Sequence, residues 1–135
     1  MIKREQKLTT LFLKWASVNF RHTFAFEVKQ TQGKSIPFSS LAPHQKRALM
    51  IAKHGFFKWK IPDAGYQNPF DGFCLYKTEA YVVVFFGSNF YMIDIDIWVH
   101  EQAISKRRSL TSKRATEIAQ IVIHWGGLTL SPHSI

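Results

Sequence analysis

The chain has 135 residues, of which 46% are hydrophobic and 15% aromatic, including twelve Phe and four Trp. At this length a single core can bury roughly two-thirds of the surface that the unfolded chain exposes, and the apolar content excludes a disordered chain. Eighteen Lys and Arg against nine Asp and Glu give a net charge of +9, which attracts polyanions, nucleic acid foremost, with charge for solubility as the plainer alternative.

Residues 4 to 18 place Leu8, Leu11, Phe12, Trp15 and Val18 at helical spacing, which predicts an amphipathic helix covering a sheet. The start of the chain is basic but shows no small-residue cleavage pattern, so no signal peptide is expected. Thr23 to Lys29 (TFAFEVK) reads as a strand, and the polar run around Gly33 as a turn. Ser39 and Ser40 are cap candidates for a helix from about 41 to 54, with Pro43 in its first turn and Gly55 as its stop.

Beyond Gly55 the chain reads as a strand, FFKWKI, a turn-rich linker, PDAGYQNP, and three further strands, DGFCLYK, AYVVVFF and NFYMIDI, with hairpin turns near Thr78 and Ser88. Cys74, the single cysteine, lies in an apolar run where it is expected to pack as a small hydrophobe; alone it excludes a disulfide framework and a Cys-rich zinc site. Asp96 to Gln102 is a short helix candidate. A last helix begins after Thr111, carries Ile118, Ile121 and Val122 on one face and closes near Gly126. No apolar stretch reaches transmembrane length, and a cytoplasmic protein with no membrane partner is expected. Residues 1–135 read as one α/β domain with a mixed sheet flanked by helices.

With so few acids, the place of each matters, because a divalent metal that promotes phosphodiester cleavage needs oxygen ligands. Glu27 interrupts an otherwise apolar strand, and Lys29 two positions later shares its face, while Phe26 and Val28 turn to the core. A carboxylate beside an ammonium can hold a metal and steady charge developing on phosphorus; a surface ion pair is the alternative. Asp71, at the start of a strand after YQNPF, is the candidate second metal ligand and Asp63 its competitor, although both suit turn chemistry. Gln45 and His44 stand one turn into the helix after the Glu-X-Lys strand, placed to hold a phosphate or water, or simply to cap. Glu5 on the first helix is a further acid for the same site. Lys58 and Lys60 alternate with Phe57 and Trp59, and Lys106, Arg107, Arg108, Lys113 and Arg114 crowd the start of the last helix; both groups are candidate DNA contacts.

The string FAFEVKQTQGKSIPFSSLAPHQKRAL resembles the catalytic segment of RecU-type Holliday junction resolvases, members of the PD-(D/E)XK nucleases: a strand with Glu-X-Lys, a Thr- and Gly-bearing turn, a Pro-Phe step and a helix opening with His-Gln. AYVVVFFGSNFYMIDIDIW is similar to the strands that follow, so the likeness spans most of residues 23 to 100. The resemblance implies a restriction-endonuclease-like fold, dependence on Mg²⁺ with Mn²⁺ as substitute, and a homodimer acting on four-way DNA junctions. The family's Asp precedes Glu-X-Lys, whereas HTFAF here holds no acid. The Pro-Phe-Asp step within the inserted segment KIPDAGYQNPFDGFCLYKTEA therefore reads as a migrated acid, with Asp71 meeting Glu27 and Lys29.

The resulting expectation is metal-assisted phosphodiester hydrolysis by Glu27, Lys29, Asp71 and Gln45, in a compact chain suited to a phage or mobile element. A less structure-selective nuclease has the same residues. Two other classes remain: an inert DNA-binding module in which Glu27 and Lys29 only pair, and a partner-binding protein docking through Trp98 and Trp125.

Overall fold

The computed structural model describes residues 2–63 and 68–124; Trp125 and Gly126 lie outside them. The elements run α1 (Ile2–Asn19), β1 (Phe24–Thr31), β2 (Ser35–Pro37), a 3-10 turn (Phe38–Ser40) and α2 (Pro43–His54). They continue with β3 (Phe56–Lys60), β4 (Gly72–Tyr76), β5 (Glu79–Phe86), β6 (Asn89–Asp94), α3 (Ile95–Ile104), β7 (Ser109–Thr111), α4 (Ser112–Ile118) and β8 (Ile121–Ile123).

The architecture is α/β, built on a mixed four-stranded sheet of order β1-β5-β6-β8. β1 runs parallel to β5, which requires a crossover supplied by α2, and β5 and β6 form an antiparallel hairpin. Gly87 has φ +67 at the first turn position, where a residue with a side chain would be strained, and this fits the tight Gly-Ser turn. The β5 run AYVVVFF lacks alternation because helices cover both of its faces. Tyr81, Val83 and Phe85 pack against Leu8, Phe12 and Trp15 of α1. Ala80, Val82, Val84 and Phe86 face the second layer, made with Leu49 of α2, Trp98 of α3 and Leu110 of β7. Each such large side chain contributes about 1.5–3 kcal/mol by burial.

α2 and α3 are also tied by charge. The Lys53 ammonium lies 2.7 Å from Asp94 and 2.6 Å from Asp96, and His54 meets Asp96 at 2.7 Å. Asp94 doubles as the cap of α3, accepting from the Asp96 N–H at 2.8 Å. Burial pushes the Asp96 carboxyl up, but the bonds from Lys53 and His54 outweigh it and hold its pKa below the usual range.

Several sequence expectations need correction. The hairpin expected near Thr78 does not form, because β4 pairs with β3 in a separate two-stranded sheet and not with β5. Lys77, at φ 47, marks the switch between sheets, and the N–H groups of Lys77 and Thr78 bond back to the carbonyls of Gly55 and Ala52. The last helix stops at Ile118, after which the β-branched run Ile121–Ile123 pairs with β6, where a sheet edge offers it ladder bonds. Cys74 is exposed, on the face of the β3–β4 hairpin that no element among the described residues covers. Trp98, read as a docking aromatic, is fully buried with its ring edge-on to Phe38. Ser39 and Ser40 do not cap α2; Ala42 holds the N-cap position, followed by Pro43.

Candidate functional site

β1 is an edge strand, paired on one side only within the main sheet. Its period of two sends Val28, with Phe24 and Phe26, toward α1, and leaves Glu27 and Lys29 on the side facing α2. The Lys29 ammonium stands 3.6 Å from the Glu27 carboxylate, with the side chains only 13% and 31% exposed respectively. Burial raises the Glu27 pKa above the usual carboxylate range. Lys29 opposes that rise, Glu5 reinforces it and His44 works against it. The arrangement is a half-buried acid, held close to an ammonium and within electrostatic reach of a second acid from α1.

Glu27 lies in a cleft of about 590 Å³ bounded by β1, α2 and the β3–β4 hairpin. His44 and Gln45 enter the same cleft from the first turn of α2, so the structure does bring the Glu-X-Lys strand and the His-Gln step together. The Gln45 side-chain oxygen accepts from the Ala42 N–H at 3.0 Å, half of a capping box, so of the side chain's polar atoms the amide nitrogen is the donor that this cap does not use.

Asp71 is not among the charged groups acting on Glu27. Its carbonyl accepts from the Ile61 N–H at 2.7 Å, just past the last β3–β4 pair, and it lines a shallow depression on the hairpin with Lys58 and Lys60. Asp63 forms an exposed ion pair with Lys60 at 3.2 Å. Among the described residues no three His, Cys, Asp or Glu side chains converge as a metal-binding group. The acid that does act on Glu27, Glu5, lies on the stripe 5-8-12-15 that α1 turns toward the sheet, and this spacing is its signal in the sequence.

The basic residues divide. Lys106, Arg107 and Arg108 are exposed on the loop between α3 and β7, and Arg107 and Lys113 border a second concavity of about 470 Å³ that also exposes Ser105, Ser109 and Thr111. Arg114 is committed internally, at 2.7 and 3.0 Å from the buried Glu101 carboxylate and 2.9 Å from Glu117. Those bonds from Arg114 hold the Glu101 pKa below its ordinary value. Lys58 and Lys60 share the outer face of the hairpin, opposite the cleft, as their alternation with Phe57 and Trp59 requires.

Against known proteins, no family model, no curated protein and no solved structure matches this chain. No helix among the described residues is long and apolar enough to cross a membrane.

Proposed function

We propose that this chain is a Mg²⁺-dependent DNA endonuclease with a restriction-endonuclease-like fold, acting as a homodimer on branched DNA of the four-way-junction kind. The observation that carries the reading is Glu27, paired with Lys29 on an edge strand and half-buried where it lines a cleft that also receives His44 and Gln45, on a chain of net charge +9. The resemblance to RecU-type resolvases supports the same residues.

Mg²⁺ is commonly held by one or two carboxylates, with water and substrate phosphate completing its shell. Glu27 and Glu5 would supply that minimal donor set, because burial and the charge of Glu5 disfavour the negative charge on Glu27 and a divalent cation would relieve both. When bound, Mg²⁺ supplies the positive charge that neutralises the phosphate as it is attacked. Lys29 would steady the additional negative charge on phosphorus, and the Gln45 amide would orient the attacking water or a phosphate oxygen. Water adds to phosphorus and gives up a proton to solvent, the P–O bond to the leaving deoxyribose oxygen breaks, and that oxygen takes up a proton. A homodimer presents two such centres to a symmetric junction.

The test is cleavage of labelled four-way junction, flap and linear duplex, with Mg²⁺, Mn²⁺ or chelator. Symmetric metal-dependent nicking of the junction is expected, with a loss on the order of 10²-fold or more for Glu27→Gln. Glu5→Gln against Asp71→Asn decides which second acid serves the metal, and the charge of Glu5 acting on Glu27, where that of Asp71 does not, favours Glu5. Equal cleavage of all three DNAs leaves a less structure-selective nuclease. One observation favours a second reading, an inert DNA-binding module: Glu27 and Lys29 already pair with each other. Salt-sensitive DNA binding without cleavage would establish it.

A further inference from the structure

The β3–β4 register puts Phe57, Trp59, Phe73 and Leu75 on the face that lines the cleft, and Phe56, Lys58, Cys74 and Tyr76 on the other. The cleft-side rings form a set of nearly aligned faces: Phe57 lies within 8° of parallel to Trp59 and within 29° of Phe73. Although they line a concavity, Trp59 and Phe73 remain 52% and 39% exposed. Aromatic side chains that serve only the core end up covered, as Phe12 and Phe90 do.

The cleft has the volume of a small-molecule site, its walls are apolar, and its polar groups, Glu27, His44 and Gln45, gather at the α2 end. The occupant therefore needs a flat apolar body with polar edges. The chain's net charge, eighteen basic residues against nine acidic, favours an occupant that belongs to a polyanion. Lys58, on the reverse of the hairpin but bordering the same depression as Trp59 and Phe73, offers a phosphate contact next to the rings, while Lys60 pairs with Asp63. Unstacked nucleobases on a phosphate backbone satisfy all of these conditions, whereas bases inside a duplex hide their flat faces in the stack.

We propose that the cleft seats unstacked bases of single-stranded DNA against Trp59, Phe57 and Phe73. The substrates selected are then those with an unpaired segment at the cut, such as flaps, ends or an opened junction centre. This rests on the nuclease reading for its consequence in cleavage, but the binding itself is measured without cleavage.

The experiment titrates three labelled DNAs of equal length, an ordinary single strand, an abasic single strand and a duplex, onto the protein in chelator. The proteins are wild type, Trp59→Ala and, as a control on the outer face, Phe56→Ala. The expected result is that the ordinary strand binds wild type and Phe56→Ala roughly tenfold or more tightly than the abasic strand, in keeping with one base–aromatic stack, and that Trp59→Ala closes the gap. The abasic strand carries the same charge, so the comparison within wild type holds even if a variant misfolds. Equal binding of ordinary and abasic strands overturns the proposal, as does a gap that survives in folded Trp59→Ala or a duplex bound as tightly as the single strand. Failure of the nuclease reading has a different signature: base-dependent binding intact, with no Mg²⁺-dependent cleavage by wild type.

Discussion

The β5–β6 and β3–β4 hairpins draw on the same aromatic and aliphatic residues, yet Val82, Val84, Phe85 and Phe90 are fully buried while Trp59, Phe73 and Tyr76 lie open. The difference is one of cover. α1 closes one face of β5–β6 and α2 with α3 the other, whereas β3–β4 is a separate two-stranded sheet with a cleft on one side and, among the described residues, no layer on the other. Isolated hairpins are marginal in water, so a chain that spends Trp and Phe on one while leaving them uncovered is spending them on something other than its core. Residue type alone does not separate structure from function here; the layer above it does.

The widest test of that contrast is a pair of truncations. Phe85→Ala is expected to cost about 3–5 kcal/mol of unfolding free energy, and Trp59→Ala within about 0.5 kcal/mol, both read by urea denaturation. A loss for Trp59 as large as that for Phe85 would make the hairpin rings part of the core after all. Gly72→Ala has an intermediate and local effect. A Cβ there collides with the Trp59 backbone carbonyl, so the hairpin must open, at about 1–3 kcal/mol. Hydrogen exchange should then quicken at Phe57 and Trp59, whose N–H groups face β4, while the amides of β5 and β6 stay protected.

The smallest effect is at Glu27, whose raised pKa means that the folded state binds its proton more tightly than the unfolded chain does. Its contribution to stability is therefore greatest below the ordinary glutamate pKa and declines as pH rises through the interval up to the folded pKa. Glu27→Gln, which stays uncharged, is expected to melt slightly higher than wild type at neutral pH, a gain that disappears below the ordinary pKa. Added Mg²⁺ should raise the melting temperature of wild type but not of the variant. A variant that melts lower at neutral pH would mean that the ion pair with Lys29 outweighs burial.

The parts of the fold legible in the sequence were those with one strong periodic signal. The stripe of Leu8, Phe12 and Trp15 marked α1, Pro43 and Gly55 bracketed α2, and the AYVVVFF run announced a strand. Partner choice was not legible, because β-propensity is local and pairing is not. GFCLY reads the same whether it joins β3 or β5, and the three-residue apolar step after Gln120 fits a helix face as well as a strand. The same limit governed the site. Glu27, Lys29 and Gln45 come together because one strand, one turn and one helix fix them, whereas the expected meeting with Asp71 depended on where a hairpin folds, and the structure sets Asp71 on that hairpin's own surface.

The closure at the base of the hairpin, where the N–H groups of Lys77 and Thr78 bond to Gly55 and Ala52, bears on how this protein can change. Residues 56 to 76 leave the scaffold and return to it at nearly the same point, so the segment behaves as an appendage whose length and content are free to vary. Lengthening such a loop adds only a slowly growing entropic penalty. Selection can therefore exchange the aromatic hairpin for another, altering what the cleft accepts, while β1, α2 and the sheet behind them keep their register.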